Sequence, residues 1–129
     1  MQQNSFMKKY SSLDEILSDR QLAKLGDAFI NFVYSLAKSR KKDEPLNERV
    51  PSRTLAEALK KTGLRTYLPS RMNRHDQGDA IESLIVYSWL HGIVSLEECV
   101  SILEKDAETP VEAFTNLIDT INKRLDVVK

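Results

Sequence analysis

Apolar side chains recur along this chain at the spacing of a helix, and nowhere do they alternate as they would in a strand. Leu22, Leu25, Phe29, Phe32, Val33 and Leu36 form the longest such run, and steps of three or four residues line up along one side of a helix. They predict a helix over about residues 20–39. Ser12-Leu13-Asp14-Glu15 has the form of a capping box and opens a short helix with Leu13, Ile16 and Leu17 on one face. Pro51 stands near the next start, Leu55, Ala56 and Leu59 form its stripe, and Gly63 suits its end. Residues 75–91 carry Ile81, Leu84, Ile85 and Trp89 and stop before Gly92. Ser95-Leu96-Glu97-Glu98 and Thr109-Pro110-Val111-Glu112 repeat the capping signature. They open helices bearing Leu96, Val100 and Leu103, then Val111, Phe114, Leu117, Ile118, Ile121 and Leu125. Residues 40–49, charged and containing Pro45, read as a mobile loop, and residues 68–74 as a second loop rich in basic and amide groups. The expectation is an all-α fold of six or seven helices, one domain over residues 1–129.

Four glycines and four prolines in 129 residues favour long elements over many turns, and this length supports a core without disulfides or structural metal. Cys99 is the only cysteine, so neither an internal disulfide nor a cysteine-based zinc site can form. No apolar run approaches the roughly 18–20 residues of a membrane span, and no signal-peptide stretch opens the chain. The default expectation is a cytoplasmic protein without a membrane partner. Formal net charge is zero, yet it is unevenly placed. Residues 38–74 hold eleven Lys or Arg against four Asp or Glu, and residues 75–129 hold four against eleven. Such segregation can set a basic face for a phosphate backbone beside an acidic pocket for metal. Solvated helix faces of mixed sign give the same pattern.

The acidic residues include a small constellation. Asp79 and Glu82 are three apart, so both carboxylates leave one face of the 75–91 helix, about 60° from each other. Asp27 lies in the middle of the long early helix, off its main apolar stripe and beside Leu25, Ala28 and Phe29. Carboxylates from two crossing helices can hold a hard cation such as Mg²⁺, which takes oxygen ligands and keeps several waters. Such a centre can activate water and stabilise a leaving oxygen. Spacing alone fits a solvated helix face equally well.

Arg20-Gln21-Leu22-Ala23-Lys24-Leu25-Gly26-Asp27 resembles the ribonuclease III signature Glu-Arg-Leu-Glu-Phe-Leu-Gly-Asp. Asp79-Ala80-Ile81-Glu82-Ser83-Leu84-Ile85 resembles that family's second element, Asp-x-x-Glu-Ala followed by apolar residues. The order agrees, with Gly-Asp first and Asp-x-x-Glu later. Residues 84–92 are similar to compact, Mini-III-like members that lack a double-stranded RNA-binding domain, with a shortened archaeal-type branch the nearest. The resemblance covers most of residues 20–105 and implies a ribonuclease III-like helical fold. It also implies a homodimer using Mg²⁺ or Mn²⁺ to cleave double-stranded or structured RNA. Asp27, Asp79 and Glu82 stand at the family's metal-coordinating, catalytic positions, with Glu82 most directly tied to metal and water. Two departures stand out. The signature glutamates fall on Arg20 and Ala23, and the aromatic that plugs a partner cavity in the bacterial enzymes falls on Lys24.

The same resemblance gives the basic loops a role, because a clamp for A-form RNA reads phosphates and shape rather than sequence. Arg49, Arg53, Arg71, Asn73 and Arg74 are the candidates for RNA-backbone contacts. His75 beside Asp76 reads as a helix start with an exposed imidazole, Cys99 as a small buried residue, and Trp89, Tyr34 and Tyr87 as core or interface. Ala23 keeps open a second expectation: a non-catalytic RNA-binding or assembly module with the same fold.

Overall fold

A computed structural model describes residues 5–105 and 107–127. Six α-helices follow one another: α1 (Leu13–Leu17), α2 (Arg20–Lys42), α3 (Ser52–Lys61), α4 (Arg74–Leu90), α5 (Leu96–Glu104) and α6 (Pro110–Arg124). A 3₁₀ turn over Leu64–Tyr67 joins α3 to the loop before α4, and no strand occurs among the described residues. The all-α expectation is met. No helix among the described residues is long and apolar enough to cross a membrane.

The fold is built around α4. This helix packs against α1, α2, α3 and α6, while α5 bridges α2 and α6. Residues 77 and 78 and every residue from Ala80 to Ser88 are buried. A helix surrounded on all sides needs no polar face, which is why its apolar pattern is nearly continuous. The buried hydroxyls stay satisfied: Ser83 Oγ donates to the Asp19 carbonyl at 2.7 Å and Ser88 Oγ to the Leu84 carbonyl at 2.8 Å. Burying two such groups without partners would be costly.

Local signals placed most helix starts, with two differences. Ser95 and Glu98 form a reciprocal capping box. Thr109 accepts from the Glu112 amide, but the Glu112 carboxylate reaches the Glu108 amide, one residue earlier than a reciprocal box requires. At α1 the box does not close: Ser12 Oγ donates to Asp14, and Glu15 instead accepts from the backbone and hydroxyl of Ser11. At α2 the cap is Asp19, whose carboxylate accepts from the Gln21 and Leu22 amides and from the Tyr10 hydroxyl.

Two expectations for α2 need correction. The helix buries Leu22, Ala23, Gly26, Phe29, Ile30, Val33, Tyr34 and Ala37, a stripe rotated from the expected one. Leu25 and Phe32 are therefore left exposed, at 40% and 56%. Helical period alone allowed either stripe, and the fit against α4 selects this one. The helix also continues to Lys42, three residues past its expected end. Arg40, Lys41 and Lys42 in its last turn suit the negative end of the dipole, and Asp43 adopts a left-handed cap (φ 56°).

The segment expected to be a mobile loop is laced to α2. Asn31 Oδ1 accepts from the Val50 amide at 2.7 Å. Ser35 Oγ accepts from the Glu48 amide and donates to its carbonyl, both at 2.9 Å. Ser39 Oγ accepts from the Leu46 amide at 2.8 Å. Four helical residues rise about 6 Å, close to the roughly 6.6 Å spanned by two extended residues. Side chains at 31, 35 and 39 therefore meet backbone at 50, 48 and 46 in antiparallel register. These side chains give an otherwise strandless segment its hydrogen-bond partners.

Candidate functional site

At Gly26 the backbone of α2 lies directly against that of α4. A Cβ there would stand 2.2 Å from the Glu82 carbonyl oxygen and 2.9 Å from the Glu82 Cβ. Only a residue without a side chain permits that approach. The crossing brings Asp27, the next residue on α2, beside the Glu82 carboxyl, and Asp79 joins them from one turn earlier on α4. All three acids line one cleft of about 610 Å³, floored in part by Ala23 and Leu55.

The three carboxyls differ in surroundings. The Asp27 side chain is 49% exposed and that of Asp79 24%, whereas Glu82 is buried. Burial, first, and then the hydrogen bonds and negative charges of Asp27 and Asp79 push the Glu82 pKa up to about 9. At neutral pH it therefore holds a proton and can donate to its neighbours. Three carboxyls this close are stable only if a proton or a cation offsets their repulsion.

Asp27 is held from a second direction. Asn31, one turn on, donates through Nδ2 to the Asp27 carbonyl at 2.7 Å and to its Oδ1 at 2.9 Å. Arg49 Nη2 reaches the same Oδ1 at 3.3 Å. The first contact lies within one turn of α2, whereas the second comes from the laced segment, which carries Arg49 to the cleft. Sequence reasoning missed Asn31, Ser35 and Ser39. Their spacing of four was the available signal, but nothing local names the backbone they engage.

The donor set suits a hard divalent cation in kind: three carboxylates, no sulfur, and a buried member whose proton such an ion would replace. Among the described residues, no three His, Cys, Asp or Glu side chains already form a ready-made metal cage, so loading requires the oxygens to turn toward a common point. Ala23 is buried and lines the cleft. Where the resemblance implies a fourth carboxylate, this wall presents a methyl group.

The RNA-backbone candidates fall in different places. Arg49 lines the acidic cleft. Arg53 and Arg74 meet at a neighbouring cavity. Arg71 is exposed on the loop before α4, and Asn73 spends its Oδ1 capping that helix through the Asp76 amide. Arg65 holds the loop by donating to the carbonyls of Pro69 and Ser70 at 2.7 and 3.0 Å. His75 is exposed, with Nε2 3.9 Å from Asp79 Oδ1, and Arg20 pairs with Asp76 at 3.2 Å. Cys99 is fully buried and its thiol is pushed up to about 12, chiefly by burial, which leaves it unreactive.

The family model described as Ribonuclease III matches residues 20–129, from the first residue of α2 onward. No curated protein matches the chain.

Proposed function

The chain belongs to the ribonuclease III family, and we propose that it is a metal-dependent endoribonuclease that hydrolyses double-stranded or structured RNA. The observation that carries this reading is the gathering of Asp27, Asp79 and Glu82 in one cleft, crowded enough that Glu82 keeps a proton. Asp27, Asp79 and Glu82 would hold Mg²⁺ or Mn²⁺, and such an ion supplies Lewis acidity and a nucleophilic water at neutral pH.

The chain's own residues set the conditions. Glu82 gives up its proton when cation binds, so loading improves as pH rises. Arg49 releases Asp27 to free that carboxylate, and its guanidinium then stands at the cleft mouth, where a phosphate arrives. Lys24 and Arg20 on the cleft wall add positive charge on the approach. His75 also lines the cleft, with Nε2 3.9 Å from Asp79 Oδ1, and no covalent intermediate is needed.

A homodimer is part of the proposal. Leu25 and Phe32 are exposed along α2, and half-exposed Trp89 stacks on Phe29 between them with ring centroids 4.7 Å apart. Large apolar groups in a row on a charged surface favour self-association. Lys24 takes the place of the plugging aromatic, so Phe32 and Trp89 would carry the contact.

Incubation of duplex RNA with the Mn²⁺-loaded protein at low salt tests the reading directly. Cleavage is expected, and Glu82→Ala should lower it about a thousandfold or more with duplex binding retained. Intact RNA across a range of pH would overturn it. Ala23, buried in the cleft wall, favours a second reading: an RNA-binding or assembly module without hydrolysis. Inactivity of the natural protein, with activity created by Ala23→Glu, would support that one.

A further inference from the structure

Two groups from outside the acid cluster rest on the Asp27 carboxylate, and they differ in kind. Arg49 Nη2 stands 3.3 Å from Oδ1 and 3.4 Å from Oδ2. Its charge has the sign of a metal ion, so the two compete for the same carboxylate. Asn31 donates through Nδ2 to Oδ1 at 2.9 Å and is neutral. A carboxylate offers about four lone-pair sites, so it can accept from an amide and still face a cation. Asn31 can stay where Arg49 must leave.

The far end of the Asn31 amide is fixed as well. Its Oδ1 accepts from the Val50 amide at 2.7 Å, and its Nδ2 gives a second hydrogen to the Asp27 carbonyl at 2.7 Å. Every polar group of the side chain is thereby used, and only one orientation uses them all. Turned over, Nδ2 would face the Val50 N–H donor against donor, and Oδ1 would face the two Asp27 oxygens acceptor against acceptor. The Val50 amide comes from a stiff junction, because Pro51 restricts the residue before it to extended backbone and α3 starts at Ser52. The Asp27 side chain is 49% exposed. Without this hold it would have rotamer freedom to lose on binding an ion.

We propose that Asn31 is a positioning residue for cation binding: the Val50 amide orients the Asn31 amide, and Asn31 holds the Asp27 carboxylate ready to ligate. A backbone amide of the laced segment thereby becomes part of the cation site without touching the ion. The role rests on the reading that the acidic cleft takes Mg²⁺ or Mn²⁺. Removing an outer partner of a metal ligand costs about 10–100-fold in affinity, and the half-exposed Asp27 puts Asn31 at the lower end of that range.

The test measures Mn²⁺ affinity of the full-length protein without RNA, from the electron paramagnetic resonance signal of the free ion. Asn31→Leu and Asn31→Ser, each checked by thermal melting, should bind about tenfold more weakly. Leucine removes every contact, and serine can keep only a bond to the Asp27 carbonyl. Ser35→Ala is the control. It cuts both bonds from Ser35 to Glu48, loosens the same segment, leaves Asn31 in place, and should bind Mn²⁺ as the natural protein does. If Asn31 only secured the segment, all three variants would weaken Mn²⁺ binding alike, and that result would overturn the positioning role. So would folded Asn31 variants with natural affinity. RNA cleavage is scored apart. Mn²⁺ bound without regard to Asn31 removes the positioning role alone, and Asn31-dependent binding without any cleavage removes the nuclease reading alone. A natural protein that binds no Mn²⁺ removes both.

Discussion

Asp27 and Glu82 are both carboxylic acids, they interact directly, and they are held in opposite ways. Asp27 faces the cleft mouth half exposed, with Arg49 and Asn31 on its oxygens. Glu82 is buried where α2 passes α4 at Gly26, has no ion pair among the described residues, and keeps a proton instead. One arm of the site is stabilised by charge and hydrogen bonds brought in from a distant segment, the other by excluding water. A single cation entering the cleft would have to undo both arrangements, displacing a guanidinium from one carboxylate and a proton from the other. That makes occupancy dependent on pH through the buried arm and on salt through the exposed one.

Four changes would break or sharpen this contrast, the largest first. Gly26→Ala drives a methyl group into backbone, which cannot yield as a flexible side chain does. A loss of about 3 kcal/mol or more in urea unfolding is expected, and a near-neutral result would mean that the helices are not locked at this crossing. Asn31→Leu strips a partner from Asp27 and from the Val50 amide. It should cost about 1–2 kcal/mol, and amide exchange at Val50, Glu48 and Leu46 should accelerate together. Unchanged protection there would separate the laced segment from the exposed arm.

The third change concerns the proton. Glu82 in the folded, metal-free protein has its pKa raised from 4.5 to about 9, so between those values the folded state binds a proton that the unfolded state has lost. Stability from this group therefore falls as pH rises through that window and is fully present below it. Glu82→Gln should flatten the decline, with a Tm about 5 °C higher than the natural protein at pH 8 and little difference at pH 4. Equal Tm profiles would show the buried arm to be ionised. Arg49→Ala should be the mildest, within about 0.5 kcal/mol because the pair is exposed. Its readout is cation affinity, expected to tighten slightly as a competing charge leaves Asp27.

Much of the helical scaffold was legible because helix formation is local. Ser95 and Glu98 lie within one turn of each other, and the spacing of Phe114, Leu117, Ile118 and Ile121 is set by the helix itself. The same reasoning failed where two elements decide together. Leu25 and Phe32 share the helical period with Leu22 and Phe29, and only the packing of α4 determines which of them is buried. The lacing of 46–50 to Asn31, Ser35 and Ser39 joins residues up to 19 positions apart. The failed box at Ser12 shows the reverse, a correct local signature diverted because Ser11 competes for Glu15.

For the candidate site the division is similar. The letters Gly26-Asp27 and Asp79-x-x-Glu82 are local, and they alone determined that two carboxylates share a face of α4 while a third belongs to another helix. That these three meet, that Gly26 is the contact allowing it, and that Glu82 is the protonated member were decided only by the tertiary structure. The physical reason is that spacing along a helix is a property of one backbone. Burial, hydrogen bonding and the distance between charges are properties of two packed surfaces, and together they set how strongly a carboxyl holds its proton.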